Sequence, residues 1–237
     1  MSSNALCINW CDDANTELCI TYEDAGGDPT DSSSNAFTVV NDGVTMTTGN
    51  PPASYSTYYG DYERNETDDL QVNDTVGVLK FEGATEDFST SFWFYPETIS
   101  GNNQFLTNFM DTSGDGWLVH ANNSGTVTFY IDAKVTTSVG TLDSKWQYWS
   151  FTANRDGNSQ VYLDGVATGT PTALSSEVMD ITTNTFRIAS PYTGGNWTDG
   201  LMDEHIITSD ILSSTDINDI MDNGLVQAAT GAPPQIW

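Results

Sequence analysis

The sequence predicts an all-β protein, a two-sheet antiparallel sandwich with one short helix near the C-terminus. Two observations support this fold class. About a dozen short apolar or alternating runs are separated by turns rich in Gly, Asn, Asp and Ser along nearly the whole chain. The 237 residues are 38% hydrophobic and include 7 Trp, 10 Tyr and 10 Phe, which is enough apolar surface for one large core.

The strongest predicted strand covers residues 146–154. There Trp149 and Phe151 alternate with Tyr148 and Ser150, so that one set of side chains faces a core. No internal repeat interrupts the series of strands. The predicted strands cover residues 6–10, 18–23, 36–40, 44–48, 76–82, 90–95, 104–110, 117–121, 126–132, 146–154, 160–163, 185–190 and 201–208.

One segment near the end of the chain has helical spacing. Ser213 or Ser214 is the predicted N-cap, Ile217 and Ile220 recur on one stripe, and Gly224 ends the helix.

The two sheets of a sandwich lie about 10 Å apart, and large aromatic side chains are needed to fill the space between them. For this role we expect Trp93, Trp146 and Trp149.

The charge of the chain excludes several partners. There are 33 acidic and 6 basic residues, a formal net charge of −27, and this field repels both nucleic-acid phosphates and an anionic membrane surface. Of the acids 24 are Asp, a residue typical of turns and solvated loops. No apolar run reaches the 18 residues or so of a transmembrane helix. We therefore expect no nucleic-acid partner and no membrane insertion.

The three cysteines lie within the first twenty residues, at Cys7, Cys11 and Cys19. An odd number permits one local disulfide with one thiol left over, or an intermolecular bridge. Small buried side chains in an N-terminal strand pair explain them equally well. The pattern leaves these alternatives open.

Several segments along the chain have recognisable motifs in a fixed order. One of them, residues 146–166, joins a Trp-rich strand to a Tyr-Leu-Asp-Gly hairpin whose Asp164-Gly165 turn favours positive φ. The whole set consists of residues 18–35, 88–99, 146–166, 186–190, 198–208 and 211–224. In this order the segments resemble the laminin G type of the concanavalin A-like jelly rolls, especially its bacterial and phage branch. The resemblance implies a jelly-roll sandwich over residues 18–225.

Three parts of the chain follow from this resemblance. Residues 17–226 form the predicted laminin G-like domain, which carries a Tyr-rich insert at residues 49–75. Residues 1–16 form an N-terminal arm, and residues 227–237 form a C-terminal tail.

The resemblance also implies a structural Ca²⁺ that joins an early acidic loop to the acidic strand near the end of the domain. Carboxylates are the preferred ligands of this ion, and their mutual repulsion favours a bound cation. In the late strand we expect one of Asp203 and Glu204 to point into the sandwich and the other outward. The predicted ligands are Glu23, Asp24, Asp28, Asp31 and Asp203.

Two aromatic segments have the composition of a glycan site. Sugars stack on exposed rings beside Asn, Asp and Gly, and packing of a loop onto the sandwich or a protein interface would use the same residues. The candidates are Tyr192, Asn196 and Trp197 in one loop, and Tyr58 and Tyr59 in the Tyr-rich insert.

The sequence predicts no enzyme. Glycosidases on this fold need two carboxylates on one face of a strand, and the closest pattern, Glu177 and Asp180, places them on opposite faces. Two His and three Cys offer no convincing nucleophile or zinc set.

The predicted function is that of a non-enzymatic virion surface protein, either a capsid decoration or a head or tail fibre component. This expectation rests on the resemblance to phage structural proteins and on a chain that starts at Met1 without a secretion signal. The expected location is the virion surface, with other virion proteins as partners and a host glycan as a further ligand. The alternative is an extracellular, secreted, stand-alone carbohydrate-binding module.

Overall fold

The structure of the protein is a computed structural model, and it describes residues 9–23, 28–64, 66–99, 103–132, 134–174, 178–191 and 197–226. Over these residues the chain forms fifteen strands in two antiparallel sheets and one α-helix, α1 (Ser214–Asn223). The predicted all-β two-sheet sandwich with a short C-terminal helix is confirmed.

The larger sheet has eight strands, and its long central strand is β15 (Gly200–Thr208). One edge of β15 pairs with β6 (Phe88–Pro96) along most of its length. The opposite edge is shared, because β4 (Tyr58–Tyr62) pairs with residues 200–202 and β1 (Thr16–Ile20) pairs with residues 205–208. In sheet order the strands are β13 (Val166–Ala173), β12 (Asn158–Leu163), β11 (Gln147–Ala153), β6 (Phe88–Pro96), β15 (Gly200–Thr208), β4 (Tyr58–Tyr62) and β3 (Thr45–Thr48), with β1 (Thr16–Ile20) beside β15.

The second sheet has seven strands and lies face to face with the first. Its central strands β7 (Gln104–Met110) and β14 (Thr185–Ile188) pair through Arg187 opposite Asn108 and Ile188 opposite Thr107. In sheet order the strands are β10 (Lys134–Thr141), β9 (Thr126–Ile131), β8 (Gly116–Ala121), β7 (Gln104–Met110), β14 (Thr185–Ile188), β5 (Asp69–Asn73) and β2 (Val39–Asp42).

Aromatic side chains fill the space between the sheets. Phe88 stacks on Phe81 with ring centroids 4.5 Å apart and lies 5.1 Å from Trp117. Trp149 is fully buried in this core, as predicted. The expectation was wrong for Trp93 and Trp146, since neither belongs to the core between the sheets.

The reason for this error is strand alternation. Trp93 is paired with Tyr148, and Tyr148 lies on the face of β11 opposite to Trp149. Trp146 precedes Gln147 and shares that outer face. Both rings are half-buried on the outside of the eight-stranded sheet.

Helix α1 and the N-terminal segment cover part of that outer face and form a second, smaller core. Ile217 and Ile220 of the helix pack with Trp10 and Tyr148. The Trp10 indole Nε1 donates a hydrogen bond to Asp219 Oδ2 at 3.0 Å. The predicted N-terminal arm is therefore packed on the domain from residue 9 onward.

A disulfide joins Cys11 to Cys19 and so ties the N-terminal segment to β1. The sequence alone leaves this pairing open, and Cys7 lies outside the described residues. The predicted strand over residues 6–10 also lies mostly outside them, and the described part begins a short 3₁₀ turn at Trp10.

Helix α1 begins with a capping box. The Ser213 hydroxyl accepts from the Asp216 amide, and the Asp216 carboxylate accepts from the Ser213 amide. Gly224 ends the helix with φ of 81°, as the sequence predicts. Among the described residues no helix is long and apolar enough to cross a membrane.

The Tyr-rich insert is more regular than its composition suggests. It contributes β4 to the larger sheet and β5 to the smaller one, although residues 49–75 contain many polar and turn-forming residues. The cause is nonlocal pairing: Tyr62 and Leu70 are fully buried against the rest of the sandwich.

The predicted strand over residues 76–82 was wrong. Asp74 is fully buried and its carboxylate accepts hydrogen bonds from the amides of Gly77, Val78 and Leu79 at 2.7 to 3.1 Å. These bonds fold the chain back on itself, which is the usual competition of an Asp side chain with a strand ladder.

Candidate binding site at one rim of the sandwich

Three strand ends meet at one rim of the eight-stranded sheet. At the start of β15, Leu201 is paired with Asp61 of β4 on one side and with Tyr95 of β6 on the other. Tyr62, the neighbour of Asp61, points into the core. Since directly paired residues share a face, Asp61, Leu201 and Tyr95 lie side by side on the outer face.

Aromatic rings form one half of this rim. The ring of Trp146 lies 5.8 Å from that of Tyr95 and 5.5 Å from that of Tyr59, both in edge-to-face geometry. The Trp146 indole Nε1 donates to the carbonyl of Asn50 at 2.6 Å, which fixes the ring. Trp146 and Tyr95 are half-buried, so both rings keep part of their surface in solvent.

Carboxylates form the other half. One oxygen each from Asp61, Glu63 and Glu97 lies within 4.8 Å of the other two. Burial, then repulsion from Asp68 and Asp199, raises the pKa of Asp61. Burial and the neighbouring acids also raise the pKa values of Glu63 and Glu97.

This juxtaposition of rings and acids is the strongest candidate for a binding surface on the larger sheet. Aromatic faces bind the apolar side of a ligand, and carboxylates accept hydrogen bonds from its polar groups. We call the following residues the rim site: Asp61, Glu63, Tyr95, Glu97 and Trp146.

Gly200 holds the rim together, because the backbone of β6 passes too close for any side chain. A Cβ at Gly200 would lie 2.4 Å from the carbonyl oxygen of Tyr95, and its φ of +157° is unfavourable for other residues. Gly200→Ala is expected to lower the free energy of unfolding by about 2 to 4 kcal/mol, measured by urea denaturation.

Gly49→Ala is the matched control for this substitution. Gly49 also has a positive φ of +121°, but a Cβ there would meet no atom within 4 Å. Its cost therefore reports backbone strain alone. Equal losses for the two variants would contradict the close approach between Gly200 and β6.

The residues predicted for a glycan site are only partly brought together. Tyr59 packs against Trp146, whereas Tyr58 lies one position along β4 and so faces the other side of the sheet. Trp197 is half-buried, and its carbonyl accepts a hydrogen bond from Arg64 Nε at 3.0 Å. Trp197 thus lies beside the chain that follows Glu63, near the rim site.

Tyr192 and Asn196 lie outside the described residues. Sequence reasoning missed Asp61, Glu63, Tyr95 and Glu97 as site residues. They are far apart along the chain and meet only through the pairing of β4, β15 and β6.

Asp31, a predicted calcium ligand, is buried, and its carboxylate accepts hydrogen bonds from the protein itself. Its Oδ1 accepts from the amides of Cys19 and Ser33, both at 2.9 Å. Its Oδ2 accepts from the Ser33 hydroxyl at 2.8 Å and from the Phe37 amide at 2.9 Å. Each oxygen already has two donors, so Asp31 fits this role better than that of a metal ligand.

The other predicted calcium ligands lie in different surroundings. Glu23 Oε1 accepts from the amide of Thr57 at 2.7 Å, and Asp28 is exposed to solvent. Asp24 lies outside the described residues. Calcium binding by this loop stays a prediction.

Asp203 and Glu204 occupy a β-bulge in β15. The pairing with β6 shifts between Asp203 and Ile206, and Glu204 has a positive φ of 53°. Strict alternation of the two side chains therefore does not apply. The Ser56 hydroxyl donates to Asp203 Oδ2, and the Leu225 amide donates to Glu204 Oε2.

Both carboxylates are almost fully buried and repel each other. Burial, followed by repulsion from Glu204, raises the pKa of Asp203 well above its usual range. Burial, together with repulsion from Glu23, raises the pKa of Glu204 to about 8. A pair of buried acids without a counter-charge is costly near neutral pH.

The sequence carries the signature of a known family over this sandwich. A laminin G family model, described as the concanavalin A-like lectin/glucanases superfamily, matches residues 64–218, more than half of the chain. This chain belongs to that family. The predicted laminin G-like jelly roll is thereby confirmed, and the match includes most of the rim site.

Solved structures with the same fold include binding domains of bacterial toxins. The receptor binding domain of botulinum neurotoxin D has a TM-score of 0.69 at 18% identity, over 87% of this chain and 52% of that one. The botulinum neurotoxin serotype G binding domain has a TM-score of 0.68 at 15% identity, over 87% and 50%. At this identity the similarity concerns the fold.

A third structure is described as the binding domain of botulinum neurotoxin DC in complex with SialylT, with a TM-score of 0.67 at 15% identity, over 88% of this chain and 51% of that one. This laminin G-like chain spans about half the length of the solved structures it matches. No curated protein matches its sequence.

Proposed function

We propose that this laminin G-like domain is a non-enzymatic binding module that holds a glycan at the rim site. The observation that carries the proposal is the contact between the half-exposed rings of Trp146 and Tyr95 next to a close trio of carboxylates. A pyranose offers an apolar C–H face to an aromatic ring and hydroxyl donors to carboxylate acceptors. Its family membership and the fold it shares with toxin binding domains support a binding role.

The charge of the protein narrows the class of glycan. At a formal net charge of −27, with three acids at the rim itself, a sialylated or sulfated glycan would be repelled. The rim site therefore fits a neutral or amino-substituted glycan.

We propose binding without cleavage at the rim site. Incubation with each bound glycan should then release no reducing ends, and their release would contradict the non-enzymatic role.

The proposal is tested by glycan-array screening followed by calorimetric titration of the best glycan. Trp146→Ala is expected to weaken binding about tenfold or more, as removal of a central aromatic contact usually does. Trp146→Phe keeps a ring and should lose less. Asp61→Asn should weaken binding of an amino-substituted glycan more than of a neutral one. Unchanged affinity in Trp146→Ala would contradict the rim site.

Display on a virus particle is the second part of the proposal, and it rests on the resemblance to phage structural proteins. Other virion proteins would then be the protein partners. Mass spectrometry of sedimented, nuclease-protected particles should find the chain at a copy number comparable to the shell protein. Recovery only from the soluble fraction would contradict display and favour a secreted carbohydrate-binding module.

A structural Ca²⁺ also belongs to the proposal. The residues that fit it are Asp203 and Glu204, whose buried carboxylates lack a counter-charge among the described residues, with Glu23 close enough to raise the pKa values of both. A cation there would remove the repulsion between them and tie the loop after β1 to β15.

A further inference from the structure

The outer face of the seven-stranded sheet carries a pocket that the rim site does not use. Its volume is about 200 Å³. We call it the outer pocket, and its lining consists of Asn103, Phe105, Met110, Leu118, His120 and Tyr130.

Strand register explains why these residues meet. Phe105 of β7 is paired with His120 of β8, and Leu118 of β8 is paired with Tyr130 of β9. Trp117, the neighbour of Leu118, points into the core, so Leu118 and His120 face outward. The outer pocket therefore lies on the sheet opposite to the rim site.

Three aromatic rings shape the outer pocket. The His120 ring lies 5.8 Å from the Phe105 ring and 5.0 Å from the Tyr130 ring, both edge-to-face. All three side chains are half-buried. Each ring therefore offers part of its surface to a ligand in the outer pocket.

The charge of the lining differs from that of the rest of the surface. The chain has 33 acidic residues, yet none lines the outer pocket. Burial lowers the pKa of His120, so its ring is neutral near pH 7. A neutral lining inside an acidic surface complements an uncharged ligand, because an anion would be repelled and a cation would prefer the rim.

The size and polarity of the outer pocket narrow the ligand further. A volume of about 200 Å³ is smaller than that of common drug-sized sites, so the pocket holds a single ring. The aromatic rings would contact the apolar face of such a ring, while the Asn103 side-chain amide would form hydrogen bonds with its edge. We propose that the outer pocket binds one neutral pyranose ring, as a second ligand site independent of the rim site.

The two histidines of the chain provide the test, because His205 is fully buried in the core and serves as an internal control. Their ring-proton NMR signals are followed during titration with millimolar methyl glycosides of glucose, galactose, mannose and N-acetylglucosamine. With at least one of these sugars the His120 signal is expected to shift saturably while the His205 signal stays in place.

Variants separate the outer pocket from the rim site. Tyr130→Ala is expected to weaken the saturable shift of His120 at least tenfold, and Trp146→Ala should leave it unchanged. Asn103 lies just before β7, so Asn103→Ala should leave the core intact. This variant should also weaken the saturable His120 shift, and its loss of binding could not be attributed to misfolding, as that of Tyr130→Ala could.

Three results would overturn the inference. These are no saturable His120 shift with any of the four sugars, equal shifts of both histidines, or loss of the shift in Trp146→Ala with retention in Tyr130→Ala. The last result would leave the proposed rim function intact while removing the second site. If only the rim site is wrong, the His120 signal would still shift saturably with sugar, whereas Trp146→Ala would bind the array glycan with unaltered affinity.

Discussion

Replacing Asp31 with alanine is expected to lower the free energy of unfolding by about 3 to 5 kcal/mol. The substitution removes the acceptor of three backbone amides, those of Cys19, Ser33 and Phe37, and of the Ser33 hydroxyl. Buried amides without an acceptor each cost about 1 to 3 kcal/mol, and partial access of water keeps the sum below the maximum. Urea denaturation measures the loss.

Asp28→Ala is the matched control, since Asp28 lies in the same acidic segment and is exposed. It is expected to change stability by less than about 0.5 kcal/mol. A small effect of Asp31→Ala in the presence of a chelator would contradict the hydrogen-bonded role of Asp31. A large effect that appears only when Ca²⁺ is present would restore Asp31 as a metal ligand.

The second large effect is a loss of stability between pH 6.5 and 8 in the presence of a chelator. The pKa of Glu204 is raised to about 8 by burial, so Glu204 is largely protonated in the folded state and ionised in the unfolded one. Its stabilising contribution is complete below the unfolded pKa and declines as the pH rises toward 8. Over this window the free energy of unfolding should fall by about 2 kcal/mol from Glu204 alone.

Two other titrating groups, Asp203 and His205, explain why the pH window begins at 6.5. The pKa of Asp203 is also raised by burial, and it adds a loss in the same direction. Burial lowers the pKa of His205 to about 3, so His205 destabilises the fold as the pH falls below its unfolded value near 6.5. Just above pH 6.5 the unfolded-state titration of His205, and of His120, whose pKa burial also lowers, adds a small opposing rise in stability with pH. Above about pH 7.5 both histidines are neutral in both states, and the acids set the slope.

Glu204→Gln should flatten the profile partly, and the double variant with Asp203→Asn should flatten it almost completely. Added Ca²⁺ should flatten the wild-type profile as well, because a cation favours ionised carboxylates. A wild-type profile that is already flat in chelator would contradict the uncompensated burial of the two acids. A profile unaffected by Ca²⁺ would contradict the proposed calcium site.

Much of the fold could be predicted because its signals are local. The alternation of residues 146–154, the capping residues of α1 and the Asp164-Gly165 turn specify their own geometry. Residues 58–62 and 69–73 could not be identified as strands in this way. Their composition is that of a loop, and only pairing with distant strands makes them regular.

The residues of the candidate sites also differ in whether a local sequence signal or the pairing of distant strands identifies them. Tyr59 and Trp197 could be found from composition, since aromatic residues beside Gly and Asn are typical of sugar-binding loops. Trp146 was misassigned to the core, because one step of alternation decides which face a side chain takes. Asp61 and Glu97 carry no local signal, as their proximity depends on the register of three strands.

The most direct test of the central claim is to locate a bound glycan on the domain by NMR. The chain has 7 Trp, and each gives one indole Nε1–H signal. On titration with the best glycan from the array, the Trp146 indole signal is expected to shift most, while that of Trp149, fully buried in the core, stays in place. A saturable shift confined to indoles other than Trp146 would contradict the rim site as the place where this domain binds its glycan.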